Sequence, residues 1–111
     1  MIQSLTAAAS ALQVNSTRLD VHANNIANLN TPGFQAQIAD QETAPGGGVQ
    51  ISKISSSTAP GSPTDSENPS ETNNVDLVTE TIGSMIALRA FEANAKSIQT
   101  TDEMLKTLTK I

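Results

Sequence analysis

His22 is the only histidine in the chain, and there is no cysteine. A catalytic triad or a zinc site would need that histidine as base or ligand. Its nearest acid in sequence, Asp20, is two residues away and so on a different face of a helix. No His-x-x-x-His or Glu-x-x-His spacing occurs. His22 therefore reads as a surface or interface residue. Gly46 to Gly48 are not followed by Lys-Ser or Lys-Thr, which excludes a phosphate-binding loop. Asp65 and Glu67 lie in a Ser/Pro-rich stretch without the ladder of oxygen ligands that calcium requires. Asp102 and Glu103 are adjacent, so they diverge on a helix and do not pair for acid–base work. These patterns predict no catalytic, cofactor-binding or metal-binding residue, and no small-molecule substrate.

The densest unusual chemistry is amide chemistry. The stretch "ANNIANLNTPGF", residues 23–34, holds Asn24, Asn25, Asn28 and Asn30, followed by Thr31, Pro32, Gly33 and Phe34. Asparagine is a mediocre helix former because its amide competes for backbone hydrogen bonds. Four amides here either cap a frayed helix end locally or bridge to neighbouring backbone without placing charge there. "TPGF" predicts a type II turn, with Pro32 at i+1 and Gly33 at i+2. Pro32 also ends the preceding helix, because it disfavours helical geometry at Thr31.

Two helices must position this junction. Residues 2–26 repeat apolar or small side chains at spacings of three and four: Ile2, Leu5, Ala9, Leu12, Ser16, Leu19, Ala23, Ile26. The rest of that surface is polar but nearly uncharged, as suits either a face packed against protein or a weakly specified, partly disordered helix. Residues 75–110 carry a second stripe, Val78, Ile82, Met85, Leu88, Phe91, Ala95, Ile98, Leu105 and Leu108. Asn74 or Asp76 can cap its start, and Lys106 and Lys110 suit its end. Gly83 weakens its first third and permits close approach or bending. Burying both stripes predicts a mainly α fold, in which two long terminal helices pack as an antiparallel coiled-coil pair. The assembly set is then Leu5, Leu12, Leu19, Ile26, Ile82, Leu88, Phe91, Ile98, Leu105 and Leu108.

Between the helices, "FQAQI" alternates Phe34, Ala36 and Ile38, while "VQISKI" alternates Val49 and Ile51 with Ile54 out of phase. The pair predicts a short β-hairpin around "APGGG". Residues 55–73 hold three prolines and few apolar side chains, which predicts a flexible, disordered loop. The expected parts are thus a helix at 1–30, a turn and β segment at 31–54, the loop at 55–73 and a helix at 74–111.

Composition sets the limits. The 111 residues include two aromatics, Phe34 and Phe91, so the core is thin and assembly is expected. A net charge of −5 with no basic cluster argues against nucleic acid. No apolar run reaches transmembrane length, and the N-terminus lacks the features of a cleaved signal.

Three blocks resemble the flagellar rod and hook axial proteins of bacteria. The first is Leu5 to Phe34, with Asn25-Ile26-Ala27-Asn28 and then Asn30-Thr31-Pro32-Gly33. The second is "GVQISKI", Gly48 to Ile54. The third is Asn73 to Ile111, with Asn74-Val75-Asp76, Arg89-Ala90-Phe91-Glu92-Ala93-Asn94 and Thr101-Asp102-Glu103-Met104-Leu105. The resemblance implies a subunit that stacks with its own copies and with other rod or hook proteins into a hollow helical tube. It implies export through the flagellar type III apparatus without a cleaved signal, and a place in the periplasmic basal body. The family's larger members carry folded domains where this chain has only the β segment and loop. Its length is similar to the small proximal rod proteins, and its C-terminal block to distal rod and hook proteins. An accessory, degenerate paralogue and a soluble helical interaction module, such as a secreted adaptor or export regulator, are the alternatives.

Overall fold

The computed structural model describes residues 2–61 and 73–111. Four elements follow in order: α1 (Ile2–Ala27), β1 (Gln37–Thr43), β2 (Val49–Ser56) and α2 (Leu77–Thr109). They make an elongated body of 76 × 24 × 13 Å.

The helices run antiparallel. Near one end, the His22 ring of α1 lies against Gly83 and Glu80 of α2. Toward the other, Phe91 of α2 shares a surface hollow with Thr6, Ala9 and Leu12 of α1. At about 1.5 Å per residue, the 33-residue α2 outruns the 26-residue α1. Its last turns project past the start of α1, and residues 102–111 are all exposed.

Asp76 caps α2: its Oδ1 accepts from the Val78 amide at 3.1 Å, and its Oδ2 from the Thr79 hydroxyl at 2.8 Å. Asn74, the other expected cap, is used elsewhere. The Thr31–Phe34 turn closes with the Phe34 amide donating to the Thr31 carbonyl at 3.2 Å, and Gly33 takes φ +73°. That positive φ is what the second central position of a type II turn demands.

The hairpin packs on a second side of α1. β1 and β2 pair antiparallel from Gln37↔Ser56 to Thr43↔Val49. The register slips once: Asp40 pairs with Lys53, and Gln41 with Ile51, leaving Ser52 as a bulge. Ile51 and Ile54 thereby oppose Gln41 and Ala39, two residues apart on β1 and so on one face. The bulge explains why Ile54 breaks the sequence alternation. At the turn end, Gly48 passes so close to Ser10 that a Cβ would lie 2.5 Å from the Ser10 Oγ. That Oγ accepts from the Val49 amide at 3.1 Å, fixing the hairpin to α1.

The core is as thin as composition implies. Among the described residues the buried apolar side chains are Val14, Val21, Ala36 and Ala87. Two expectations need correction. First, the stripe on α2 starts on a different face. Glu80, Ser84 and Ala87 turn toward α1, whereas Val78, Ile82, Met85 and Leu88 are exposed. The helix approaches closely here because Gly83 leaves room for the His22 ring: a Cβ would lie 2.5 Å from the His22 Cε1. Second, Leu105 and Leu108 are 37% and 55% exposed, because α1 has ended before it reaches them. On α1, Leu5, Leu12, Leu19 and Ile26 are half-buried, while Ile2, Ala9, Ser16 and Ala23 of the same stripe are exposed. Phe91 and Ile98 are half-buried on α2. The Pro/Ser-rich loop falls largely on residues 62–72, outside the described residues, but its flanks are held: Ser55 and Ser56 belong to β2.

Candidate assembly surface and asparagine junction

The end of α1, the start of β1, the exit from β2 and the approach to α2 meet at one point. Asparagines join them. Asn25, with 0% exposure, faces Gln37 as another strand would. Its Nδ2 donates to the Gln37 carbonyl at 2.9 Å, and its Oδ1 accepts from the Gln37 amide at 2.8 Å. Both backbone groups of the first residue of β1 are thus satisfied by one side chain. Asn24 adds a contact to the Gln37 side chain at 3.0 Å. Asn28 turns back, donating to the Asn24 carbonyl and to its Oδ1, each at 2.9 Å, and accepting from the Thr31 hydroxyl at 3.1 Å. Asn30, Thr31, Pro32 and Gly33 are exposed, and Phe34 is half-buried.

A second asparagine pair completes the junction from the other side. Asn74 Oδ1 accepts from the Ala36 amide at 2.6 Å, and its Nδ2 donates to the carbonyls of Ser57 and Ala59. The Asn74 amide itself donates to the Phe34 carbonyl at 3.2 Å. Asn73 Nδ2 donates to the Leu29 carbonyl, and Asn73 Oδ1 accepts from the Val75 amide. One neutral amide offers two donors and an acceptor, which lets it bridge strands of irregular chain without a buried charge.

Sequence reasoning singled out the first asparagine group and passed over Asn73 and Asn74 as bridging residues. The signal was present: "NN" occurs at 24–25 and again at 73–74. It also left His22 without an acid. The partner is Glu80, 58 residues away: the His22 Nδ1 donates to Oε2 of Glu80 at 2.6 Å, with both side chains largely buried. This contact clasps α1 to the first turns of α2. The adjoining cleft, of about 270 Å³, includes Arg18, Gln37 and Thr79. That is below the size of ordinary small-molecule sites. Among the described residues no three potential metal ligands cluster.

Among the described residues, α2 carries two uncovered apolar regions. One is the face of α2 turned away from α1, with Val78, Ile82, Met85 and Ile86 each more than half exposed. The other is the projecting end, Met104, Leu105, Leu108 and Ile111. No described helix is long and apolar enough to cross a membrane. Contiguous exposed apolar surface of this kind marks protein–protein contact.

Comparison with known proteins gives the family. Residues 5–35 match the family model of flagella basal body rod proteins. Residues 70–111 match that of the C-terminal region of the flagellar basal body rod FlgEFG proteins. The flagellar basal-body rod protein FlgC of Salmonella typhimurium is 37% identical, over 92% of this chain and 91% of its own length. The FlgC of Escherichia coli O6:H1 agrees equally well. That of Buchnera aphidicola subsp. Baizongia pistaciae is 32% identical over 90% of each chain.

The chain belongs to the flagellar basal-body rod protein family. It is a structural protein of the rod, and so a component of the motility apparatus. The two family matches meet at the junction, where Asn73 bonds to Leu29 and Asn74 to Phe34: one ends just beyond Phe34, the other begins just before Asn73. The two rod segments are therefore the two halves of a single hydrogen-bonded corner.

Proposed function

We propose that this chain is a FlgC-type rod subunit that assembles through its terminal helices into the wall of a hollow helical tube. Four observations support the reading: the family, the elongated helix pair, the thin core and the two uncovered apolar regions of α2. The last carries most weight, because a stable monomer has no reason to expose so much of its scarce apolar surface. In the assembled wall the residue 1–30 and 74–111 segments form the inner layer and wind as an antiparallel coiled coil. Residues 31–54 form a small outward turn and ribbon. Neighbours are further copies and other rod or hook proteins. Leu5, Leu12, Leu19, Ile26, Phe91 and Ile98 hold the pair together, while Ile82, Leu88, Leu105 and Leu108 meet neighbouring subunits. The asparagine junction sets the angle at which the ribbon leaves the helices. The subunit reaches the periplasm through the flagellar type III apparatus, without a cleaved signal.

Purified basal bodies test this. A strain in which the chain carries Leu19→Asp or Leu105→Asp is expected to lack it in basal bodies and to be non-motile. Normal incorporation of either variant contradicts the packing scheme. Absence of the unaltered chain from basal bodies contradicts the rod role and favours a soluble adaptor.

A further inference from the structure

The apolar face of α2 consists of Ile82, Met85 and Ile86, bordered by Arg89. Nothing among the described residues covers it, and it lies on the side of the helix remote from Glu80, Ser84 and Ala87. Large side chains on one helix need a surface of small ones to fill. The outer face of α1 is such a surface. Between the side that meets α2 and the side that meets the hairpin, Ala9, Ser16, Ala23 and Ala27 are exposed at helical spacing. The two faces also differ in charge. Among residues 1–30 the only acid is Asp20, which is exposed and has no ion pair among the described residues. Arg89 is 79% exposed, with only the surface carboxylate of Glu92 beside it.

We propose that the Ile82–Arg89 face of α2 in one subunit seats on the outer face of α1 in a second copy of this chain, with Arg89 meeting Asp20. The inference rests on the rod-subunit reading and names the contact by which copies join. Its register is self-consistent. With the two helices antiparallel, as they are inside the subunit, placing Arg89 opposite Asp20 sets Ile86 opposite Ala23. One further turn sets Ile82 opposite Ala27. Bulky side chains thus fall on alanines at both steps.

Pairing the α2 face with itself would instead bring two Arg89 guanidinium groups and two sets of large side chains together. A contact between two different faces is heterologous and propagates. On α1 the outer face is not opposite the α2 side but lies to one flank of it, so each added copy turns relative to the last and the array curves.

The chain has no cysteine, which gives a clean background for cross-linking. Ala23 and Ile86 both point away from their own partner helix, so a bridge between them must join two copies. Chains carrying Ala23→Cys together with Ile86→Cys are introduced into the flagellated strain, oxidised, and examined in isolated basal bodies. The expected result is a ladder of cross-linked copies from the double variant and none from either single variant. Incorporation without a ladder overturns the contact and leaves the rod role standing. Cross-linking by Ile86→Cys alone overturns it in favour of self-pairing, and bands joining a different flagellar protein overturn the assigned partner. Absence of the unaltered chain from basal bodies overturns the rod role and this contact with it.

Charge reversal decides the matter should a cysteine variant not incorporate. Arg89→Asp and Asp20→Arg are each expected to lower the chain's abundance in basal bodies several-fold, and the pair together to restore it. Failure of the pair to restore it contradicts the contact.

Discussion

The two ends of the helix pair solve opposite problems. At the junction end, four chain segments converge and are tied by polar contacts: Asn25 to Gln37, Asn74 to Ala36, Ser57 and Ala59, His22 to Glu80. At the projecting end, α2 runs on alone with Met104, Leu105, Leu108 and Ile111 bare. The junction is complete within one chain, because hydrogen bonds fix geometry without needing a large core. Nothing among the described residues covers the apolar side chains of the projecting end, and in the proposed assembly neighbours bury them. In the proposed rod subunit the two tasks fall to different surfaces: hydrogen bonds within the chain set its shape, and the bare apolar surface of α2, on the Ile82–Arg89 face and at the projecting end, joins it to neighbours.

Substitutions at the two ends should therefore behave differently. The largest loss of stability is expected from Asn25→Leu. It keeps the branched, four-heavy-atom side chain but strips the Gln37 amide and carbonyl of their partners, at about 3 kcal/mol. Chemical denaturation of the purified chain measures it. A cost under about 0.5 kcal/mol would show that the junction is not what orders this end. Gly83→Ala comes next. Alanine raises helix propensity by up to about 1 kcal/mol, but its Cβ would drive into the His22 ring. Crowding is expected to win by about 1 kcal/mol, because the ring is held by Glu80. A stabilised variant would mean that the ring moves aside freely. A double-mutant cycle on His22→Gln and Glu80→Gln should then return a coupling of about 1 kcal/mol. Additive single effects would remove the clasp from the account. The smallest effect on stability belongs to Leu108→Asp, within about 0.5 kcal/mol, although the same change should eliminate incorporation into basal bodies. A large loss of monomer stability there would blur the distinction between the two ends.

Much of the fold was legible in sequence, for reasons that also mark where legibility stopped. Periodicity placed two long helices and a hairpin, since both repeats come from burial of one face. "TPGF" gave the turn because Pro32 and Gly33 each restrict or permit a particular φ. The face of α2 that meets α1 was misread in its first third. An apolar stripe records that something is buried but not whether by the same chain, and Val78, Ile82 and Met85 face outward. The true contact was written in small residues, Gly83, Ser84 and Ala87, which periodicity of large side chains overlooks. His22 and Glu80 are far apart in sequence, so only packing unites them. The asparagines were visible as an anomaly, yet their partners are mostly backbone groups, which carry no sequence signature.

Amide hydrogen exchange, compared between the dilute monomer and assembled rods, tests the division of labour most directly. In the monomer, amides of α2 beside the junction, from about Thr81 to Ala87, should exchange slowly, while those from about Glu103 to Thr109 exchange freely. In the rod both should be protected. Equal, strong protection of both segments in the dilute monomer would contradict the claim that the junction end is ordered within the chain and the projecting end only by its neighbours.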